Sequence, residues 1–382
     1  MSRRYDLDRL PALELAERAA RRGVRLIRMP GAPNVAMPEH VVDAVLAQLS
    51  RTHDRDSRGT PQLRRSVAEM LRDRDHVEVD PDRELIITHG AAHGLSVTLG
   101  AFCDPGDDVV VPVPTYFFDG PIARCGATPR HVACRPAAHD WALDLDAIAD
   151  AVTDRTRAIL LCNPVNPTGR LHTSAEIDAV VHLARQRGVI LIADESFSHY
   201  VYDGPFTSVA TRRSDYDRII TIQSLSKNYA FADWRVGYVH GPQHLIDAVH
   251  RCFEWDGINV GSVPQAAAVA AITGPRVWID RYLHAYPAKR DTLLTLVRAA
   301  GFRVVRPGAG AAMLVDFRPL GVAGRVLENR LLDHGIAAVA GDGFHGPADH
   351  ARLLFGGEAE DLHDLGKALS RLVRPGRAAA HN

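Results

Sequence analysis

The chain has 382 residues, more than the roughly 250–300 at which a single core stops growing, so two lobes about a cleft are expected. Lys+Arg 45 against Asp+Glu 46 leaves no field of one sign to gather nucleic acid or an anionic membrane, which favours a small-molecule role. The cysteines, Cys103, Cys125, Cys134, Cys162 and Cys252, are odd in number and never spaced as CxxC, which argues against a disulfide framework or a zinc site and suits a reducing cytoplasm.

The N-terminus, MSRRYDLDRLPALELAERAARRG, has no apolar core of signal-peptide length, and no segment approaches the roughly 20 apolar residues that span a bilayer. A soluble protein is expected. From about residue 84, β-branched runs alternate with helix-like stretches: ELIITHG then AAHGLSVTLGAF, DDVVVPVPTY then FFDGPIARCG, RAILLCNP then SAEIDAVVHLARQRG, VILIADES, and RIITIQSLSK. This alternation predicts an α/β fold with a mainly parallel sheet covered by helices on both faces, and the wholly apolar AILLC and VILIA suit strands buried on both sides. Thr173 with Glu176 three residues on reads as a capping box, and Gly188 as the left-handed end of that helix. Residues 265–301 read as long helical material broken near Gly274-Pro275. The remainder suggests a smaller α+β lobe closed by a solvated tail, RPGRAAAHN. The expected division is an N-terminal segment 1–44 belonging to the small domain, a large domain 45–272 and a small C-terminal domain 273–382.

The chain holds only three lysines, Lys227, Lys289 and Lys367. Lys227 lies in Ser224-Leu225-Ser226-Lys227-Asn228-Tyr229, just past an apolar strand, where lost hydration favours a neutral amine able to form an imine with an aldehyde. Arg235, eight residues on, and the two serines offer a clamp and hydroxyls for a phosphate near that imine. A lone lysine at a strand end more often reaches for solvent, so its company decides. Asn163-Pro164-Val165-Asn166-Pro167-Thr168-Gly169 fixes a rigid turn whose amide can donate to a phenolic oxygen, although it can also be a turn and nothing more. Asp194, ending the next strand, is placed to pair with a protonated pyridine nitrogen, or else to cap a helix. Thr88-His89-Gly90-Ala91-Ala92-His93-Gly94 leads from a strand into a helix start that can seat a phosphate, and Tyr116 in Pro114-Thr115-Tyr116-Phe117-Phe118 offers a face for a planar ring; tight packing and ordinary core are the plainer readings. All these lie at the carboxyl ends of parallel strands, where open α/β folds bind ligands.

In order and spacing these motifs resemble the class I/II aminotransferases of the aspartate aminotransferase superfamily, the fold type I pyridoxal-phosphate enzymes, from Gly31-Ala32-Pro33-Asn34 to Arg352. The resemblance implies a seven-stranded, mainly parallel sheet sandwiched by helices with a smaller α+β domain, and pyridoxal 5'-phosphate as cofactor. It implies that Lys227 forms the Schiff base and shuttles the proton, Asp194 meets the pyridine nitrogen and Asn166 the ring hydroxyl. Tyr116 would stack on the ring, with Phe197 beside the cofactor, while Ser224, Ser226, Arg235 and the Ala91–Ala92 backbone hold the phosphate. Gly31, Asn166 and Arg352 would bind substrate, Arg352 as the fork for its α-carboxylate. A homodimer is implied too.

The sequence departs from the family at three places: Phe197 stands where a tyrosine is usual, Ala92 and His93 where serine or threonine is common, and His53-Asp54-Arg55 where a tyrosine normally reaches the neighbouring subunit's phosphate. Phenylalanine at the Phe197 position is also a feature of threonine-phosphate decarboxylases of this fold. Transamination between an amino acid and a 2-oxo acid is therefore the leading expectation, with decarboxylation, elimination or β/γ-substitution on the same fold as the alternative. A binding or regulatory protein built on the scaffold is disfavoured by the intact lysine and the lack of an appended DNA-binding domain. Nucleotide binding has no GxxxxGK, Gly308-Ala309-Gly310 makes no convincing fingerprint, and the 19 histidines show no HExxH, so no metal is expected. His93, Trp255 and Asn259 are candidates for contact with the substrate side chain.

Overall fold

A computed structural model of the chain describes residues 9–32, 35–51, 56–137 and 140–373. Through the sheet, the elements run α1 (Pro11–Arg21), α2 (Glu39–Leu49), α3 (Pro61–Asp75), β1 (Leu85–Thr88), α4 (Ala91–Phe102), β2 (Asp108–Val113), α5 (Asp119–Arg124), β3 (Thr128–Ala133), β4 (Arg135–Ala137), β5 (Asp140–Ala142), α6 (Leu145–Ala151), β6 (Thr156–Cys162), α7 (Ser174–Arg187), β7 (Ile190–Asp194), β8 (Ile219–Ser224), α8 (Leu225–Asn228) and β9 (Gly237–His240). There follow α9 (Gln243–Gly257), α10 (Ser262–Thr273), α11 (Val277–Ala299), β10 (Arg303–Val304), β11 (Ala312–Asp316), α12 (Gly324–Leu332), β12 (Val339–Ala340), β13 (His350–Leu354) and α13 (Ala359–Val373).

Among the described residues, seven strands form one sheet in the order β1-β9-β8-β7-β6-β2-β3. The run from β8 through β7, β6 and β2 to β3 is parallel, and β9 is antiparallel to both its neighbours. Side chains of a strand alternate between faces, and the apolar runs divide accordingly. Val109, Val111, Val113, Leu160, Ile192 and Ile222 pack with Leu95 and Leu99 of α4, Val249 of α9 and Ala268 of α10. Val110, Ile159, Leu161, Leu191 and Ala193 pack on the opposite side with Ile148 of α6 and Ile177, Val180 and Ala184 of α7. Each fully buried Val, Leu or Ile contributes about 1.5–3 kcal/mol of hydrophobic stabilisation, so a strand apolar on both faces has one stable place, between two helical layers.

The ends of α7 follow the local chemistry read from the chain. Thr173 Oγ1 accepts from the Glu176 N–H at 3.2 Å while a Glu176 carboxylate oxygen accepts from the Thr173 N–H at 2.9 Å, and Gly188 closes the helix at φ 66°. The break at Gly274-Pro275 separates α10 from α11.

A second, antiparallel sheet, β10-β11-β13-β12, packs through Met313, Val315, Leu353 and Phe355 against Leu293 and Val297 of α11, Leu327 and Leu331 of α12 and Leu365 and Leu369 of α13. Helix α1 joins this lobe, whereas Val41 of α2 lies in the core of the large one. Leu15 and Ala19 of α1 bury against Leu332 and Val339, Arg18 pairs with Glu328 at 2.6 Å, and the Ile27 N–H donates to the Gly335 carbonyl. The turn after β6 touches the second lobe as well: the Ala309 N–H donates to the Gly169 carbonyl at 2.8 Å, and a Cβ on Gly169, at φ 70°, would run into Pro307 and the Ala309 carbonyl. Gly308-Ala309-Gly310 thus makes a junction between the lobes.

Candidate active site

The carboxyl ends of β6, β7 and β8 lie side by side, because Cys162 pairs with Asp194 and Asp194 with Ile222. Asp194 is buried, and its carboxylate accepts from the Ser196 N–H at 2.9 Å. Burial pushes its pKa up, against the pull of the Ser196 contacts, and no cation pairs with it among the described residues. It is a desolvated carboxylate short of one positive partner.

At the end of β8, Ser224 caps the single turn α8, its Oγ accepting from the Ser226 N–H at 3.1 Å. Lys227 sits on that turn, half-buried, with Nζ 5.9 Å from the centre of the Phe197 ring. Desolvation, then the nearby charges of Arg352 and Arg235, lower its pKa to about 8, so at neutral pH the amine keeps a share of its free base. The Tyr200 hydroxyl donates to the Lys227 carbonyl at 3.1 Å and fixes the backbone that carries the amine.

Arg235, held at φ 55°, donates to Ser226 Oγ at 3.2 Å and to the Ala232 carbonyl at 2.9 Å. Its guanidinium lies over Gly90, where an added Cβ would come within 2.5 Å of Nη2. Gly90, at φ 80°, opens α4 without a side-chain cap, so the Ala91 and Ala92 amides start a helix beside a guanidinium and two serine hydroxyls. The close approach extends to Gly237, whose Cβ would meet the Gly90 carbonyl carbon at 2.7 Å and the Ala91 nitrogen at 2.8 Å. A helix start, an arginine and hydroxyls make a seat for a phosphate.

Across the cleft, Arg352 on β13 donates through Nη1 to Asn166 Oδ1 at 3.2 Å. Its guanidinium lies 4.7 Å from the Phe344 ring centre and 5.8 Å from that of Phe117, and the two rings stack at 4.8 Å. Desolvation lowers its pKa to about 10, and no carboxylate lies in salt-bridge range of it among the described residues. A half-buried guanidinium without an anion is a ready site for one. Gly31 lies against Leu354, two residues along the same strand, with its Cβ position 3.4 Å from that side chain. Tyr116, following β2, is half-buried; burial raises its phenol, and the charges of Arg352, Asp194 and Arg235 all act on it, which puts it among the groups above.

Asn163 is not part of this constellation. Its amide donates to the Thr207 carbonyl at 3.2 Å and accepts from the His172 N–H at 3.1 Å, so within the NPVNPTG turn Asn166 is the asparagine facing Arg352. Trp255 is 95% exposed on α9, and His93 bonds Asp256 at 2.8 Å. Pro33, Asn34 and His53-Asp54-Arg55 lie outside the described residues. Sequence reasoning missed Tyr200, Ser196, Phe117 and Phe344. The first two follow Asp194 within six residues, but Phe344 comes from a different lobe and carried no motif.

The family model for aminotransferase class I and II matches residues 30–369. An aspartate/prephenate aminotransferase of Thermus thermophilus is 31% identical over 95% of this chain and 93% of its own, and an arginine–pyruvate transaminase of Pseudomonas aeruginosa is 32% identical over 86% and 84%. The solved aspartate aminotransferase of Thermus thermophilus with maleate superposes with a TM-score of 0.91 at 28% identity, over 97% of this chain and 99% of that one. The chain belongs to the class I and II aminotransferases. It is a pyridoxal-phosphate-dependent enzyme that transfers amino groups. The residues present fit that cofactor: a lysine amine with a lowered pKa, a buried carboxylate lacking a cation and an uncapped helix start under an arginine converge on one cleft.

Proposed function

We propose that this cleft moves the amino group of an amino acid to a 2-oxo acid, with Lys227 as the residue that binds the cofactor covalently and carries the proton. The single observation behind this reading is a lysine amine in the cleft whose pKa is lowered to about 8, first by desolvation and then by the nearby charges of Arg352 and Arg235. Asp194 would hold the pyridine nitrogen in its protonated form, Asn166 the ring oxygen, and Tyr116 and Phe197 the ring itself. Ser224, Ser226, Arg235 and the Ala91 and Ala92 amides would hold the phosphate. Pyridoxal phosphate, when bound, supplies an electron sink for the carbanion left when the substrate loses its α-proton.

Arg352, with Asn166 and Gly31, orients the substrate by its α-carboxylate. This binding directs the α-hydrogen toward Lys227, whose free amine takes the proton from the α-carbon and returns it at a neighbouring carbon. The stacked Phe117 and Phe344 keep water from the guanidinium and strengthen its grip on a carboxylate.

The same reading makes residues 45–272 the cofactor domain, with 1–44 and 273–382 forming the small domain, in keeping with the burial of α1 against α12 and β12. It also holds that two copies pair, in keeping with the exposed Val42, Leu46 and Leu49 of α2 and the exposed Trp255 and Ile258 at the end of α9, which a second copy would cover. A cytoplasmic home agrees with five unpaired cysteines. No helix among the described residues is long and apolar enough to cross a membrane.

The test is a visible spectrum of the cofactor-loaded protein titrated with a panel of amino acids, with 2-oxo acid release measured in parallel. Conversion to the amine form of the cofactor with an equivalent of 2-oxo acid is the expected result. Release of carbon dioxide or ammonia instead would overturn it.

A further inference from the structure

Outside the cleft, three ligating side chains from distant parts of the chain come together on the surface where the lobes meet. Asp119 opens α5, His131 lies on the edge strand β3, and His345 ends the 3-10 turn 341–344 of the small lobe. His131 Nε2 lies 2.9 Å from one Asp119 carboxylate oxygen, and His345 Nε2 lies 2.9 Å from the other. Both Nε2 atoms therefore face the same carboxylate and the three ligand atoms lie within 4.8 Å of one another; the two imidazoles stack at 3.7 Å with 21° between their planes, so one ring must turn to aim both nitrogen lone pairs at a shared ion.

We propose that Asp119, His131 and His345 form a binding site for one divalent zinc ion that fastens the small lobe to the large one. Two imidazole nitrogens and a carboxylate oxygen are a donor set suited to a borderline transition ion and ill suited to magnesium or calcium, which take oxygen ligands. The hydrogen bonds now seen hold protons where the ion would sit. When both histidines are charged, the ion replaces two Nε2 protons, which leave to solvent, so the site's net charge is unchanged. Solvent supplies the open fourth position, because His131 and His345 are exposed and Asp119 is only half-buried.

The placement gives the ion a consequence. Phe344, next to His345, stacks on Phe117 and lies under Arg352, and its carbonyl accepts from the Thr115 N–H at 3.1 Å. An ion gripping His345 from the large lobe therefore anchors the platform of that guanidinium.

The experiment is calorimetric titration of zinc chloride into the cofactor-loaded protein in a non-chelating buffer, with magnesium chloride as control, for the unaltered chain and for His131→Gln, His345→Gln and Asp119→Asn. The expected result is one zinc ion per chain, no heat with magnesium, and a loss of affinity in each variant beyond the ~10–100-fold that removal of an outer-shell partner costs. Retention of the cofactor absorbance by a variant establishes that it is folded, and three independent ligand changes guard against one that is not. No saturable zinc binding, or binding of equal strength in folded variants, would overturn the proposal.

Discussion

Arg352 Nη1 and Asn166 Oδ1 stand 3.2 Å apart, so the strand that carries the guanidinium in one lobe and the turn that follows β6 in the other meet in a single hydrogen bond at the cleft. The bond satisfies one N–H of the fork and leaves the rest for an anion. Arg352→Gln is expected to reduce kcat/KM for amino acid and 2-oxo acid alike by about 30-fold or more, since losing one partner of a desolvated charge pair costs about 2–5 kcal/mol. The cofactor absorbance should survive. Steady-state kinetics together with a spectrum check both halves of this expectation.

The pH dependence of cofactor capture follows from the environment of Lys227. Its pKa is lowered to about 8, first by desolvation and then by Arg352 and Arg235. The attacking species is the free amine, so the rate at which the cofactor-free protein takes up pyridoxal phosphate should climb as pH rises through about 8 and level off above it. In Arg352→Gln one of the two repelling cations is gone, and the midpoint should move upward. The stability of the cofactor-free protein changes in the same sense: between about 8 and the ordinary lysine value the unfolded chain binds more protons than the folded one, so this group adds stability as pH rises there. Stopped-flow absorbance across pH reads the capture rate.

Arg235→Ala removes the guanidinium over Gly90 and beside Ser226. Hydrogen bonds to charged groups are worth about 1.5–3 kcal/mol each, so the dissociation constant for pyridoxal phosphate should rise by roughly 10–150-fold. Affinity for pyridoxal lacking the phosphate should change little. Fluorescence titration with both compounds separates the two.

The fold was legible where local chemistry dictates it. Val109–Val111 and Ile159–Leu161 are apolar on both faces, so only a sheet between helical layers can bury them, and the Thr173–Glu176 cap and the Gly188 stop are set by their own side chains. Lys227, Arg235, Asp194 and Asn166 were legible as candidates because each ends a parallel strand or follows one, and parallel strands deliver their carboxyl ends to one edge. What depends on the meeting of lobes was not. Phe117 stacked on Phe344 and His131 stacked on His345 have no spacing rule, since each is set by how the second sheet docks, and Tyr200 meets the Lys227 carbonyl through a loop whose path no motif marks. The NPVNPTG turn shows the same limit within one motif, where only the structure distinguishes the inward-facing Asn166 from Asn163, bound to Thr207 and His172.

Gly237 provides a prediction on stability. A methyl group there would lie 2.7 Å from the Gln223 carbonyl oxygen and the Gly90 carbonyl carbon, so Gly237→Ala must push β9 away from the start of α4. Overpacking of this kind costs about 1–3 kcal/mol. Urea unfolding of the cofactor-free protein should show that loss, and weaker cofactor binding should accompany it because Arg235 and the α4 amides shift together.

The central claim, that Lys227 holds the cofactor, has a direct test because the chain contains only two other lysines, Lys289 and Lys367. Lys289 is paired with Glu358 at 2.9 Å and Lys367 with Asp364 at 3.3 Å. The cofactor-loaded protein is reduced with borohydride, digested and mapped by mass spectrometry. The account predicts one cofactor mass per chain, on the peptide containing Lys227. The label on a Lys289 or Lys367 peptide, or no label at all, would contradict it.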